Sequence, residues 1–137
     1  MALDAKDLID IQMMLGLYGH ILDERDWDAL DQVFTEDIVF DASDSGLGVM
    51  HGIAAIVGVW KEPFDGHPLG HYMTNAVIAE DEDGTVRARS KHLGTRPGTI
   101  TLMTYADVVR RTPAGWRLAE RVAKIQHRVP MFGDPSS

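Results

Sequence analysis

Asp23 and His71 are the residues whose types and settings point most directly to chemistry. Asp23 lies in Leu22-Asp23-Glu24-Arg25-Asp26-Trp27-Asp28, at the end of an amphipathic stretch. His71 opens His71-Tyr72-Met73-Thr74-Asn75, which reads as a strand. A carboxylate that accepts from an imidazole fixes its tautomer and offsets the charge it gains on protonation. That is the minimum equipment for a general base near neutral pH.

Other polar residues could complete such a site. Tyr18 lies on the apolar stripe of the same stretch, so it is either a core tyrosine with a satisfied hydroxyl or a donor to substrate. Arg121 alternates with Arg117, Ala119, Ala123 and Ile125, whose small members leave space beside it. If buried, it needs an anionic partner, either a nearby acid or a substrate enolate. Met73 and Asn75 share the face of His71 by strand alternation, and a face of His, Met and Asn suits a pocket wall. With them, His92 and Trp27 count as candidate substrate contacts. Trp60 and Trp116 read as core, a reading that also competes for Trp27. His20 and His51 read as surface or loop histidines, and His127 has no legible role. His20, Asp23 and Glu24 are neighbours in sequence but make a weak metal site, so no metal is expected.

These side chains need elements to hold them. Leu8, Ile11, Leu15, Tyr18 and Leu22 recur at helical spacing, predicting a helix from about Asp4, its cap, to Asp23. Gly16 and Gly19 each weaken that helix by ~1 kcal/mol relative to Ala, which close approach of another backbone would compensate. Asp26 is placed as the cap of a short second helix over 27–34. Ile38–Asp41 reads as a strand, 43–48 as a loop, and 53–61 as a third helix stopped by Pro63. The second half changes period. Strands are expected over 70–80, 85–95, 99–111 and 116–128, separated by turns at Asp81-Glu82-Asp83-Gly84, Arg96-Pro97-Gly98 and Thr112-Pro113-Ala114-Gly115. The tail 129–137 reads as irregular. Helices first and an antiparallel meander after define an α+β chain of one domain, 1–137.

Composition narrows the function. The chain has 137 residues, 45% of them hydrophobic, and a net charge of −8. An acidic chain is not expected to bind nucleic acid or dock on anionic membranes. It has no cysteine, which excludes disulfides and thiolate chemistry. The N-terminus is too charged for a signal peptide, and no apolar run approaches the ~20 residues that span a bilayer. A cytoplasmic protein is expected.

The order of elements resembles the nuclear-transport-factor-2-like (NTF2-like) fold in its SnoaL-like branch. The residues that carry the likeness are Tyr18 to Leu30, Val33-Phe34-Thr35-Glu36-Asp37, Gly52-Ile53, His71 to Asn75, and Gly115-Trp116-Arg117-Leu118 leading to Arg121. The resemblance implies a cone in which a curved, mostly antiparallel sheet and three helices from the N-terminal half enclose a cavity. Within the branch, the polar constellation is most similar to scytalone-dehydratase-like lyases, including the bile-acid 7α-dehydratases and hexachlorocyclohexane dehydrochlorinases. There an Asp of the first helix pairs with a His opening a strand, the positions of Asp23 and His71. Tyr18 matches a tyrosine of the bile-acid enzymes and Arg121 a cavity arginine of the dehydrochlorinases. The chain also departs from the pattern. Gly94 stands where the next strand of those lyases carries a second His or an Asp, with His92 and Arg96 as possible substitutes, and Ala42 stands where scytalone dehydratase has a tyrosine.

The resemblance implies a cofactor-independent lyase, with His71 as base, Asp23 orienting it, and Tyr18 or Arg121 stabilising the oxyanion or the departing hydroxide. The substrate would be small, apolar and cyclic, of steroid, terpenoid or polyketide type. The alternatives are a ketosteroid-isomerase-like or polyketide-cyclase-like enzyme, the former with Asp41 as base, and a non-catalytic ligand-binding protein. Apolar residues of both parities in 99–111 predict that a second subunit covers the outer sheet face, giving a dimer or trimer.

Overall fold

In the computed structural model, residues 3–62 and 67–130 are described. Helix α1 (Ala5–Glu24) begins as expected. The Asp4 carboxylate accepts from the Asp7 backbone N–H at 2.8 Å, and the Asp7 carboxylate accepts in return from the Asp4 N–H at 3.1 Å. Asp7 does further work at the far side of the fold. Its Oδ1 accepts from Arg111 Nη2 at 2.7 Å and from Trp116 Nε1 at 3.3 Å, tying the helix start to the last hairpin. Arg25 ends the helix in the left-handed conformation, φ 55°, and its backbone N–H returns to carbonyls of the last turn.

A 3-10 helix, Trp27–Gln32, follows in place of the expected α-helix, and Asp26 makes no side-chain cap bond. The chain then enters β1 (Phe34–Ala42), longer than the sequence suggests because Phe34 and Thr35 are also buried in the sheet. Ser43–Ser45 form a short 3-10 turn, and β2 (Gly48–His51) pairs with β1. No element was expected over 49–52, directly after the expected 43–48 loop, and the strand includes His51. Helix α2 (Ile53–Trp60) closes the first half. Pro63, expected to stop it, lies outside the described residues.

The second half is the expected meander: β3 (Gly70–Glu80), β4 (Val86–Arg96), β5 (Thr99–Thr112) and β6 (Gly115–Pro130). Val129 and Pro130 thus belong to β6, and 131–137, the rest of the expected irregular tail, lie outside the described residues. The six strands lie in the order β2-β1-β6-β5-β4-β3. Every neighbouring pair is antiparallel except β1 with β6. Bulges interrupt the register between Thr74 and Val77, Leu102 and Met103, and Val108 and Val109, where extra residues bend the sheet. The sheet is curved and unclosed, and the fold is α+β.

Helix α1 buries Ile11, Leu15, Tyr18, Ile21 and Leu22 in a core shared with Phe34, Ile38, Tyr105 and Leu118. The closest approach is at Gly19, where an added Cβ would lie 2.4 Å from the His71 carbonyl oxygen. That oxygen is backbone of a residue paired near the start of β3, so it cannot easily step aside. Gly16, one turn back, has open space around it. Backbone approach therefore explains only one of the two helical glycines.

The two glycines should respond oppositely to alanine. Gly16→Ala should raise unfolding free energy by about 0.5–1 kcal/mol through helix propensity. Gly19→Ala should lower it and separate α1 from β3. Urea unfolding of both variants checks this, and equal effects would contradict the close approach.

Candidate active site

Packing α1 against β3 brings the two leading residues together. His71 Nδ1 lies 2.6 Å from Asp23 Oδ1, and Asp23 Oδ2 accepts from the His71 backbone N–H at 3.3 Å. The carboxylate therefore grips strand and ring at once. A carboxylate can only accept, so the ring proton sits on Nδ1 and the lone pair on Nε2. His71 is buried and lines a cavity of about 280 Å³. With Nδ1 engaged, Nε2 is the nitrogen left for a ligand. Burial lowers the His71 pKa below the ordinary histidine value; the Asp23 hydrogen bond and charge push it back up, and Arg25 and Arg96 lower it further. The ring is a neutral base at neutral pH.

Tyr18, Phe40 and Trp60 form the aromatic side of the cavity. Tyr18 meets His71 edge to face at 6.4 Å. Burial raises the pKa of its hydroxyl, partly offset by the Arg121 charge, so it stays protonated and can donate. It is a core residue that also lines the cavity.

His92 stands on the cavity wall, 5.4 Å from the His71 ring centroid and stacked on Tyr105 at 4.7 Å. Only 2% of it is exposed, and neither ring nitrogen has a partner. Burial, reinforced by the His71 and Arg121 charges, lowers its pKa to about 3. Arg96 also lines the cavity, as does Thr101, a residue the sequence reading missed. His67 lies in the same wall with its ring 5.7 Å from His71 and its pKa lowered to about 4, chiefly by burial. The loop is anchored by Arg25, whose side chain donates to the Leu22 and Pro68 carbonyls. Among the described residues no three His, Cys, Asp or Glu side chains are grouped to hold a metal ion.

Four expected contacts fall elsewhere. Arg121 is 1% exposed and lies behind the wall. Its Nε and Nη2 donate to the two oxygens of Asp107 at 2.8 Å each, and its guanidinium carbon sits 3.9 Å from the Tyr105 ring and 4.5 Å from the Tyr18 ring. Burial alone would lower its pKa, but Asp107 outweighs that and holds it above the ordinary arginine value. Its partner is thus an internal acid, and it reaches the cavity only through the tyrosines. Asn75 is exposed at the β3 bulge with φ 56° and borders an outer groove. Asparagine tolerates that left-handed conformation, which is its role here. Met73 packs on the core edge and does not line the cavity. Trp27 stacks on His67 at 5.9 Å and supports the wall from behind. Arg117 does not share the inner face of Arg121, because a bulge intervenes; it donates to the Asp31 and Trp116 carbonyls. Asp41, the isomerase candidate, alternates with the cavity-lining Phe40 and Ala42 and so faces away. Hydrogen bonds from Ser43 lower its pKa, the opposite of what a buried base needs.

This is a helix-covered, curved sheet with an Asp-held histidine on the wall of a mixed aromatic, aliphatic and polar cavity. The chain belongs to the SnoaL-like domain family, whose model matches residues 4–122. It is 30% identical over 128 residues to the uncharacterized protein Rv2910c of Mycobacterium tuberculosis, covering 87% of this chain and 85% of that one. Among solved structures it is similar to a Novosphingobium aromaticivorans protein provisionally named an aromatic ring hydroxylase (TM-score 0.75, 27% identity, 94% and 96% of the two chains). It is also similar to an NTF2-like protein with a cystatin-like fold from the same organism (0.70, 24%, 96% and 86%). A third match is the hexachlorocyclohexane dehydrochlorinase LinA-type3 of Novosphingobium barchaimii (0.70, 15%, 94% and 90%). The last two carry the fold alone: NTF2-like. No helix among the described residues is long and apolar enough to cross a membrane.

Two outcomes follow from the electrostatics. Asp107→Ala leaves the Arg121 charge buried and unpaired, and should cost about 3–5 kcal/mol in chemical unfolding. A loss below about 1 kcal/mol would mean that water or another acid replaces Asp107. The histidines add a pH dependence. Their folded pKa values lie below the ordinary 6.5, so the unfolded chain binds more protons in the window from 6.5 down to about 3. Stability should fall as pH drops through that window, and His92→Phe should flatten the slope.

Proposed function

We propose that this protein is a cofactor-independent lyase that removes a hydroxide or similar leaving group from a small cyclic substrate. The observation that carries the reading is the His71 ring, held at 2.6 Å by Asp23 with its other edge toward a cavity. A neutral imidazole with a fixed tautomer is suited to taking a proton from a carbon made acidic by a neighbouring carbonyl. The proton goes to Nε2 and its electron pair forms the new C=C bond. The C–O bond breaks, and the departing hydroxide takes the proton from the imidazolium and leaves as water. Asp23 stabilises the imidazolium between those two events. The Tyr18 hydroxyl donates to the enolate oxygen, where developing charge is greatest. Arg121 is a positioning residue, since its charge favours that oxygen only through Tyr18.

The family and the dehydrochlorinase-like fold support small-molecule conversion. At roughly 30 Å³ per water, the cavity of about 280 Å³ holds roughly nine waters, the lower end of ligand pockets. That favours a substrate of one or two small rings over a full steroid. The ketosteroid-isomerase reading loses support because Asp41 faces away. The outer groove mixes Val77, Ala106, Val108 and Val122 with Arg87, Arg89 and Glu120, a face that a second copy in the expected dimer or trimer would cover.

The test is elimination from a β-hydroxy carbonyl substrate found by screening. His71→Ala should lower kcat/KM about 10²–10⁴-fold with the far-ultraviolet circular dichroism unchanged. In the parent, kcat/KM should rise with pH and level off below the ordinary histidine value of 6.5. Asp23→Asn should reduce it at least about tenfold and shift the inflection to lower pH, because the carboxylate that raises the His71 pKa is gone. Full activity in either variant removes the reading.

A further inference from the structure

The cavity wall carries two arginines, in a protein whose net charge is −8. Arg96, the last residue of β4, and Arg128, near the end of β6, both line it. Among the described residues neither guanidinium has a carboxylate partner. The Arg96 Nε is buried with no hydrogen-bond partner at all. Burial lowers the Arg96 pKa and the charge of the exposed Arg128 lowers it further, which marks two like charges near each other. Every other arginine with a polar contact in the fold reaches a carboxylate or a carbonyl: Arg25, Arg87, Arg110, Arg111, Arg117 and Arg121.

Between these two strands lies β5, and its Thr101 stands opposite Gly94 on one side and Arg128 on the other. Thr101 is only 2% exposed, lines the same cavity, and its hydroxyl has no partner. A buried hydroxyl without a partner costs free energy that a bound acceptor would recover. Two guanidinium groups with no carboxylate among the described residues and one orphaned hydroxyl line the same cavity. Such a pair of cations beside a free donor describes a site for an anion.

We propose that Arg96, Arg128 and Thr101 bind a carboxylate group of the substrate, so that the cavity takes a small cyclic carboxylic acid with its reacting carbon toward His71. This rests on the lyase reading for the reaction, but not for the binding. The volume sets the choice of anion. A cavity of about 280 Å³ must hold the ring body as well, which favours a compact planar carboxylate over a bulkier phosphate ester. The guanidinium fork matches that planar group. The site also separates two tasks. The arginines hold a permanent negative charge, and the His71–Asp23 pair handles a transient proton.

The experiment compares benzoate with benzamide, its neutral analogue of the same shape, by calorimetry and by the fluorescence of the cavity-lining Trp60 at low ionic strength. Benzoate should bind at least about tenfold more tightly than benzamide, and its affinity should fall with added salt. Arg96→Gln and Arg128→Gln should each weaken benzoate about tenfold and leave benzamide within about twofold. Thr101→Val should weaken benzoate by less, in the same direction. Equal affinities for the two probes, unchanged benzoate binding in both arginine variants, or tight inorganic phosphate with no benzoate binding would each overturn the proposal. His71→Ala separates the two readings: it should abolish elimination and keep the benzoate preference. An active lyase indifferent to the probe's charge sinks only the anion site; a charge-selective protein without elimination sinks only the lyase.

Discussion

One carboxylate holds the site together, because Asp23 reaches both the ring and the backbone of His71. The first bond orients the imidazole; the second fixes where the strand begins. Both require α1 to lie almost in contact with β3, and the chain achieves this with a glycine facing the His71 carbonyl. Helix position, strand register and imidazole tautomer are therefore not independent variables. A change in any one is felt at the Nε2 lone pair, so the geometry of the His–Asp pair rests on how the helix packs on the strand.

Much of this was legible in the sequence because it depends on local pattern. Period-3.6 spacing placed α1, turn residues placed the meander, and Asp23 and His71 sit near predictable element ends. What stayed hidden depends on register. From the turn at Thr112 and Gly115, an uninterrupted hairpin puts Asp107 opposite Glu120, a like-charge pair. The bulge between Val108 and Val109 moves it to Arg121 instead. An acid between Ala106 and Val108 signals a buried charge, but only the bulge identifies its partner. The same effect turned Asn75 outward at the β3 bulge. The edge strand β2 escaped notice for another reason: of its four residues only Met50 is buried, so it has no alternation to read. His67 was hidden because its place depends on the Arg25 bond to Pro68, a contact between distant segments.

The interior is unusually polar for its size, and the polarity is layered. Deepest lies the closed pair Arg121–Asp107, neutral as a unit and sandwiched by two tyrosine rings. Next come His92 and the Tyr18 hydroxyl, uncharged near neutral pH because burial penalises their ionised forms. The charged side chains on the cavity wall itself are Arg96 and Arg128, while Asp23 is engaged with His71. Such an arrangement keeps the middle apolar enough to hold a ring while giving it a definite direction.

That polarity sets a trade-off for the base. The field of Arg25 and Arg96 weakens His71 as a proton acceptor, since it opposes the imidazolium. In the proposed lyase the same field would favour an enolate, whose negative charge appears as the proton leaves. One set of charges would then tune the base and the carbon acid in opposite senses. Asp23 offsets the loss on the histidine over 2.6 Å. A bound carboxylate between Arg96 and Arg128 would neutralise part of that field and restore basicity to His71. Substrate would then complete the electrostatics of its own deprotonation, and the empty cavity would hold a weaker base than the occupied one.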